Sequence, residues 1–161
     1  MPEIICNTSP LQYLHQAGLL DVVHTLVGRF TVPPAVMAEL EEGRVRGVDL
    51  PDLNQLDWVS IRAPQSRLAV PLVTDLGAGE TQVLMLALES SDAVVVLDDA
   101  LARQLAEVLG IRLTGTLGLL LDARRAGLIP ALAPVLDQLQ ALRFRLAPHT
   151  RAVVLKLAGE K

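Results

Sequence analysis

The chain has a single cysteine, Cys6, which excludes an internal disulfide and a metal site built from several cysteines. Aromatic residues make up only 2% of the sequence, which argues against the base-stacking platforms of single-strand-binding modules. Lysine occurs only at Lys156 and Lys161, away from the predicted strand ends, and no Gly-x-Gly-x-x-Gly is present. These absences disfavour a phosphoacceptor receiver-like domain, a P-loop and a dinucleotide-binding loop.

Long apolar segments are absent as well. No run of about 18 uninterrupted apolar residues occurs, so we expect no membrane span. The N-terminus lacks a basic region followed by a long apolar segment, so we expect no signal peptide and a soluble, cytoplasmic protein. The sequence has 161 residues and is 51% hydrophobic. We therefore predict one domain over residues 1–161, with a core of Leu, Val, Ile and Ala.

The net charge of −4 is unevenly distributed along the chain. Before Arg112, fifteen acids stand against six arginines (15 − 6, a balance of −9), whereas from Arg112 onward eight bases stand against three acids (8 − 3, a balance of +5). The acidic part could supply metal ligands and the basic part phosphate contacts, although solvated helix faces would give the same asymmetry. We expect the basic C-terminal helices, at about residues 117–161, to pack onto the domain. The arginines there that could follow a phosphate backbone are Arg124, Arg125, Arg143, Arg145 and Arg151.

Residues 93–97 form an unbroken apolar and mostly β-branched run that leads directly into Asp98 and Asp99. Such a run is typical of a strand covered on both faces in a parallel sheet, and we expect it to be the central strand. Further short strands are predicted at residues 3–6, 30–32, 58–61 and 111–113, and residues 144–146 are a last strand or an extended segment. Strands that alternate with helices predict a three-layer α/β/α sandwich around a mainly parallel central sheet.

Helical patterns fill most of the remaining sequence. They are predicted at residues 11–17, 19–26, 33–42, 79–89, 100–109, 117–126, 130–142 and 148–158. The third of these begins at two prolines, which suit a first helical turn, and is predicted to stop at Gly43. Residues 43–56 and 63–78 are predicted to be loops.

The two adjacent aspartates lie where parallel sheets carry their chemistry, at the carboxyl end of a strand. Asp99 is explained as the N-cap of the following helix, but a cap needs only one aspartate. Two neighbouring carboxylates in a cleft repel each other unless a cation or a proton lies between them. Asn7 and Ser9 end the first strand, and they open into the same cleft if that strand lies parallel beside residues 93–97.

Two glutamates are candidates for the same cleft. Glu80 lies in a first helical turn, where the helix dipole favours an acid by about 0.3–1 kcal/mol, but it also shares a face with residues that should be buried. Glu39 lies at the edge of the inward stripe of its helix. Oxygen ligands suit Mg²⁺ or Mn²⁺, and clustered carboxylates hold such ions for phosphodiester hydrolysis. The predicted metal and catalytic set is Asn7, Glu39, Glu80 and the pair Asp98 and Asp99, with the metal-facing aspartate left open.

Other polar residues have a structural and a functional interpretation. Arg103, one turn into the helix after the aspartates, could pair with a carboxylate or a phosphate, and a structural salt bridge is slightly favoured. Thr116 could bind water or phosphate, or cap a helix. Cys6 is interpreted as a small buried apolar residue, and the three histidines share no metal-binding spacing.

Several short motifs occur together in this sequence. They are Asn7-Thr8-Ser9-Pro10-Leu11, Val32-Pro33-Pro34-Ala35-Val36 with Glu39-Leu40, Gly79-Glu80, Leu97-Asp98-Asp99-Ala100-Leu101-Ala102-Arg103, Leu109-Gly110, Thr114-Gly115-Thr116-Leu117-Gly118 and Ala126-Gly127-Leu128-Ile129-Pro130. In this order the chain resembles the PIN-domain family, most closely the small prokaryotic PIN-like proteins related to VapC ribonuclease toxins. The resemblance covers nearly the whole chain.

The resemblance implies a Mg²⁺- or Mn²⁺-dependent endoribonuclease with an RNA substrate, often a toxin restrained by a small antitoxin protein and commonly a homodimer. Glu39, Glu80 and one of the two aspartates match the family's metal-binding acids, and Ser9 matches the hydroxyl residue two places after its first acid. That first acid is an aspartate in the family and is Asn7 here. Weaker metal binding, reduced activity or an inactive PIN-like binding or regulatory module are the alternatives that this difference implies.

Overall fold

A computed structural model describes residues 2–65 and 76–161. Its strands are β1 (Glu3–Cys6), β2 (Phe30–Val32), β3 (Val59–Ile61), β4 (Ala93–Val96) and β5 (Arg112–Thr114). Its helices are α1 (Thr8–Gln16), α2 (Leu20–Val27), α3 (Pro34–Val45), α4 (Ala78–Glu89), α5 (Ala100–Val108), α6 (Thr116–Arg125), α7 (Ala133–Ala141) and α8 (Pro148–Leu157), with a short 3₁₀ helix at Leu53–Gln55. Part of the loop predicted at residues 63–78 falls on residues 66–75 and lies outside the described residues.

The strands form one parallel sheet in the order β3-β2-β1-β4-β5. The predicted α/β sandwich is confirmed, and the described sheet is wholly parallel rather than mainly so. The prediction that residues 93–97 form the central strand was wrong, because β1 occupies the centre. An apolar run indicates a strand that is covered on both faces of the sheet, and this does not specify the middle position; β4 lies between β1 and β5.

The strand order places a crevice at one end of the sheet. The chain fills one half of the sheet from β1 outward to β3 and then returns to add β4 and β5 on the other side of β1. Ligands in open parallel sheets bind outside the carboxyl ends of the strands at such a switch point. Cys6 is in register with Val96, so the residues that follow β1 and β4 leave the sheet side by side.

The core is aliphatic, as the composition predicts. Val83, Leu84 and Ala87, on the face of α4 that Glu80 shares, are buried, which confirms the expectation for that face. Leu86 is fully buried as well, so more than one face of this helix is covered. Helix α6 packs against α1 and α2, and α8 packs against α6. No helix in the described ranges has the length and apolar character needed to cross a lipid bilayer.

Helix α3 extends beyond its predicted end. Gly43 was predicted to stop the helix, but the helix continues to Val45. A Cβ atom on Gly43 would overlap Leu50 Cδ1, so the glycine allows Leu50 to pack against the helix. The glycine lies inside the helix, where it leaves room for the Leu50 side chain, and does not mark a helix end.

Residues 144–146 are not a strand in the described structure. They follow a tight turn at the end of α7, where the Phe144 N–H donates to the Leu139 carbonyl at 3.0 Å and the Arg143 N–H donates to the Gln140 carbonyl at 3.0 Å. This is a Schellman-type helix ending, which needs a left-handed residue, and Arg143 has φ of 71°. The other observed element ends lie within about three residues of their predicted positions.

Candidate active site

A cavity of about 950 Å³ opens at the carboxyl ends of β1 and β4. Of the residues predicted for the site, it is lined by Asn7, Ser9, Glu80, Asp98, Asp99 and Arg103. Glu39, which is half-buried, and Thr116, which is fully buried, are not among its lining residues. We call Asn7, Glu80, Asp98 and Asp99 the acidic wall of the cavity. Arg143, Phe144 and Arg145, which line it as well, are the basic wall.

Asn7 carries an acceptor oxygen without a donor. It is the N-cap of α1, a position whose side-chain oxygen normally accepts from the second or third N–H of the helix. The third residue of α1 is Pro10, which has no N–H, and Asn7 makes no cap hydrogen bond. Its Oδ1 is buried and has no hydrogen-bond partner among the described residues, and the residue is only 4% exposed. Because an unsatisfied buried acceptor costs about 1–3 kcal/mol, this oxygen favours a bound cation or donor.

Glu39 reaches the same place from α3. Its carboxylate accepts hydrogen bonds from the Thr8 hydroxyl and from the Gly79 N–H, the latter at 3.1 Å. A Cβ on Gly79 would lie 2.9 Å from both Glu39 carboxylate oxygens and 3.1 Å from Asn7 Oδ1. The lack of a side chain at Gly79 thus leaves room for both polar groups beside the start of α4. Sequence reasoning missed the role of Thr8, whose only signal was a hydroxyl beside Asn7.

Glu80 is half-buried in the first turn of α4 and surrounded by like charge. Burial is the largest cause that raises the pKa of Glu80, and the negative charge of Asp99 is the next. A hydrogen bond from the Gly77 N–H to Glu80 Oε2, at 3.4 Å, lowers that pKa, whereas Glu39 adds a smaller increase. The acids are therefore close enough to repel one another, and a bound cation would relieve this repulsion.

The two aspartates after β4 both hold helix N-termini. Asp98 accepts from the Thr116 N–H at 2.9 Å and from the Thr116 hydroxyl at 2.6 Å, and Thr116 is fully buried at the start of α6. Asp99 Oδ2 accepts from the Ala102 N–H at 3.0 Å, which confirms the predicted cap of α5. Asp99 Oδ1 has no hydrogen bond within the described part of the chain. Asp99 therefore keeps one free oxygen, and both oxygens of Asp98 are occupied.

Arg103 bonds to the backbone rather than to an acid. Its Nη1 donates to the Leu97 carbonyl at 2.7 Å, and no salt bridge of Arg103 is found among residues 2–65 and 76–161, against the favoured prediction. A Cβ on Gly115 would lie 2.9 Å from Asp98 Oδ1 and 3.0 Å from Arg103 Nη1. The glycine therefore lies where two charged side chains approach the backbone, and the carbonyl of Leu97 fixes the guanidinium.

Cys6 lies directly below the site, at the end of β1. It is fully buried, as predicted, and its Sγ–H donates to the Asn7 carbonyl at 3.5 Å. Burial, followed by the charge of Asp98, raises the pKa of the Cys6 thiol well above its ordinary value. A thiol held neutral in this way packs as a small apolar group and is not an activated nucleophile.

The basic wall faces the same cavity from the turn after α7. Arg143 and Arg145 are exposed, and neither guanidinium has an ion pair or hydrogen bond to any residue that the structure describes. Phe144 packs edge-on against Tyr13 of α1, with ring centroids 5.0 Å apart and an interplanar angle of 89°. This aromatic contact joins the basic wall to α1, the helix that follows Asn7.

The site suits a hard divalent cation by the type of its donors. Its side chains offer amide and carboxylate oxygens, which Mg²⁺ and Mn²⁺ prefer, and the unpaired Asn7 oxygen is an open acceptor. Within the described residues, however, no three His, Cys, Asp or Glu side chains are grouped closely enough to hold a metal ion. Each carboxylate instead accepts a hydrogen bond from an N–H at the start of a helix. The oxygens are therefore of the type that a divalent ion prefers, but they are not arranged around a single point.

Comparison with families of known proteins supports the sequence resemblance. A family model described as a PIN domain matches residues 3–160. The match includes the acidic wall, the basic wall and all five strands. A comparison with curated proteins gives no match.

Proposed function

Since the chain belongs to the PIN-domain family, whose members are generally nucleases that use divalent metal ions, we propose that it is an endoribonuclease. It hydrolyses RNA phosphodiester bonds at the acidic wall with Mg²⁺ or Mn²⁺. The observation that carries this proposal is the unpaired buried oxygen of Asn7, in one cavity with the mutually repelling carboxylates of Glu80 and Asp99. A divalent ion would bind the unpaired oxygen of Asn7 and neutralise the repulsion between the carboxylates of Glu80 and Asp99.

We assign Asn7, Glu80 and Asp99 to the ion, because each lines the cavity and has a side-chain oxygen without a hydrogen bond among the described residues. An ion held by these residues would supply Lewis-acid chemistry, namely polarisation of the phosphate and a lowered pKa of a bound water. Glu39 and Asp98 belong to the same ligand set by the family resemblance. Their carboxylates accept hydrogen bonds from the N–H groups at the starts of α4 and α6, so they position the ends of those helices beside the site.

The remaining predicted residues contact the substrate or position a residue of the site. Ser9 lines the cavity and offers a hydroxyl donor to a phosphate oxygen. Arg103 has donors beyond the one that bonds to the Leu97 carbonyl, and these can reach an anion in the cavity. Thr116 acts indirectly, because its N–H and hydroxyl donate to the carboxylate of Asp98 and hold it in place.

An RNA cleavage assay with Mn²⁺ tests the proposal. We expect Glu80→Gln, which keeps the size of the side chain and removes its charge, to lower the initial rate by about 100-fold or more. Glu107→Gln, at an exposed position of α5, is the matched control and should cleave like the wild type. Equal rates for wild type and Glu80→Gln would indicate a contaminating nuclease or a different site, and would refute the assignment.

A second candidate function is an inactive PIN-like binding or regulatory module. Asn7 favours it, since an amide brings no negative charge where the family has an aspartate, and so does the lack of a preassembled metal cluster in the described residues. The four acids Glu39, Glu80, Asp98 and Asp99 speak against it. A module that had lost catalysis should bind no Mn²⁺ at millimolar concentration.

The biological setting is proposed from the family resemblance. We propose that the protein is one PIN-like domain over residues 1–161, that it acts as a cytoplasmic toxin restrained by a small antitoxin protein, and that it forms a homodimer. Expression of the wild type alone should then arrest growth, whereas expression of Glu80→Gln should not. A monomer in light scattering at tens of micromolar protein would contradict the homodimer.

A further inference from the structure

The basic wall is built on an unfavourable backbone conformation. Arg143, with φ of 71°, is the one non-glycine residue in the described ranges with a positive φ. Six other helix ends use glycine at left-handed positions, namely Gly18, Gly28, Gly47, Gly110, Gly127 and Gly159. Glycine adopts this conformation without the steric cost that a side chain imposes. An arginine at the end of α7 therefore suggests that the side chain itself is needed there.

The arginines of the C-terminal part divide by what they contact. Arg124 binds Glu160, Arg125 donates to the Leu157 carbonyl, and Arg151 binds Asp137 and Gln140. These three have structural partners. The guanidinium groups of Arg143 and Arg145 have none in the part of the chain that the structure describes, and both line the cavity. The two arginines that face the acidic wall are thus the two that remain free to bind a ligand.

The charges around the cavity favour an extended anion. Glu80, Asp98 and Asp99 line the cavity together with Arg103, Arg143 and Arg145. The carboxylates and the arginines of the basic wall form no ion pair, although their charges are opposite. A polyanion that crosses the cavity can place one phosphate at an ion on the acidic wall and its neighbours at the arginines. A flexible single strand can bend into such a concave surface, which a stiff duplex cannot.

We propose that Arg143 and Arg145 bind the phosphates of single-stranded RNA next to the phosphate held at the acidic wall. This inference rests on the proposed ribonuclease function and adds the residues that hold the substrate. The contact between Phe144 and Tyr13 positions the two arginines relative to the start of α1. Because the contacts are to phosphates, the affinity that they contribute is independent of base sequence and depends on salt.

The test is the salt dependence of RNA binding, measured by fluorescence anisotropy. The probe is a labelled single-stranded RNA of about twelve nucleotides, with a chelator present to prevent cleavage. For Arg143→Gln with Arg145→Gln, we expect binding roughly tenfold weaker at low salt and a slope of log affinity against log salt that is smaller by about 1.4, or about 0.7 per phosphate contact. Arg46→Gln with Arg112→Gln removes the same charge from surface ion pairs outside the cavity and should change the slope little.

A second variant separates substrate binding from a purely structural role. Arg143→Gly introduces the residue that the left-handed backbone prefers, so we expect a melting temperature higher by about 2–4 °C. The same variant should lower the salt slope by about 0.7. If Arg143 serves only to end α7, the melting temperature rises and the slope stays that of the wild type, which would overturn the proposal. Arg143→Gly with Arg145→Gln replaces the double glutamine variant if the latter does not fold.

The outcomes also separate this inference from the ribonuclease proposal. Binding that depends on Arg143 and Arg145, in a protein that cleaves no RNA with Mn²⁺, would support the phosphate contacts and refute the nuclease. RNA cleavage with the same salt slope in wild type and in the double glutamine variant would refute only the phosphate contacts. A wild type that binds no RNA at low salt, with or without Mn²⁺, would also refute them.

Discussion

The two walls of the cavity carry opposite charge and are stabilised in different ways. On the acidic wall, the carboxylates of Glu80, Asp98 and Asp99 each accept a hydrogen bond from a backbone N–H at the start of α4, α6 or α5. On the basic wall, the guanidinium groups of Arg143 and Arg145 have no partner in the described residues. The acids are therefore partly compensated before any ligand binds, whereas the arginines remain available to a ligand.

The difference teaches that a charged residue at a site can serve the fold, the ligand or both. Helix N-termini stabilise a nearby carboxylate by about 0.3–1 kcal/mol, and by up to about 2 kcal/mol in partly buried geometries. Changes on the acidic wall should therefore alter stability as well as activity. Changes on the basic wall should weaken RNA binding with little loss of stability. Replacement of Arg143 by glycine should increase stability, because the backbone there is left-handed.

The largest expected effect is the loss of stability in Asp98→Ala. This change leaves the buried N–H and hydroxyl of Thr116 without their acceptor, and we expect the free energy of unfolding to fall by about 3 kcal/mol. Urea unfolding measures it. The control is Asp137→Ala, which removes an exposed carboxylate paired with Arg151 and should cost less than about 1 kcal/mol. Similar losses for the two variants would mean that Asp98 does not hold α6.

The next effect is a gain of metal affinity in Asn7→Asp. The change adds a negative charge where an unpaired amide oxygen now lies, so we expect roughly tenfold tighter Mn²⁺ binding and faster RNA cleavage at low Mg²⁺. Without metal the new carboxylate is buried near other acids, and the variant should be less stable than the wild type. Equal cleavage rates at low Mg²⁺ would count against a metal role for this position.

The smallest effect is the pH dependence that Glu80 contributes. Because the pKa of Glu80 is raised above its usual value of 4.5, the folded protein binds this proton more tightly than the unfolded chain does. Its contribution to stability is therefore complete below that value and declines as the pH rises through the raised pKa. In chelator, the melting temperature of Glu80→Gln relative to wild type should rise between pH 4 and pH 7. A difference in melting temperature that does not change with pH would show that the neighbours of Glu80 do not raise its pKa. The control is Glu41→Gln, at an exposed position.

The fold could be predicted from the sequence because its signals are local. Residues 93–97 are apolar without interruption, and Pro33 and Pro34 mark a helix start, so the elements and their order follow from short segments. The identity of the middle strand depends on how segments pair, and no short pattern contains that information. Gly43 was misinterpreted for the same reason, since its neighbour Leu50 is brought beside it by the fold and not by a local pattern.

The site could be predicted in its residue types but not in its contacts. The acids were recognised from their positions at strand and helix ends and from the family motifs. The partners of Glu39, which are Thr8 and Gly79, depend on how α3, α1 and α4 meet. Arg143 was one of five equivalent arginines in the sequence, because a left-handed backbone at that position gives no signal in the composition of its neighbours.

The most direct test of a metal site at the acidic wall is a calorimetric titration of the purified protein with Mn²⁺. Wild type should bind the ion at millimolar or lower concentration, and Glu80→Gln with Asp99→Asn should lose that binding. Glu41→Gln with Glu107→Gln, which removes the same charge from exposed helix positions, should keep it. A wild type without measurable Mn²⁺ binding, or a double variant at the acidic wall that binds as the wild type does, would contradict the account.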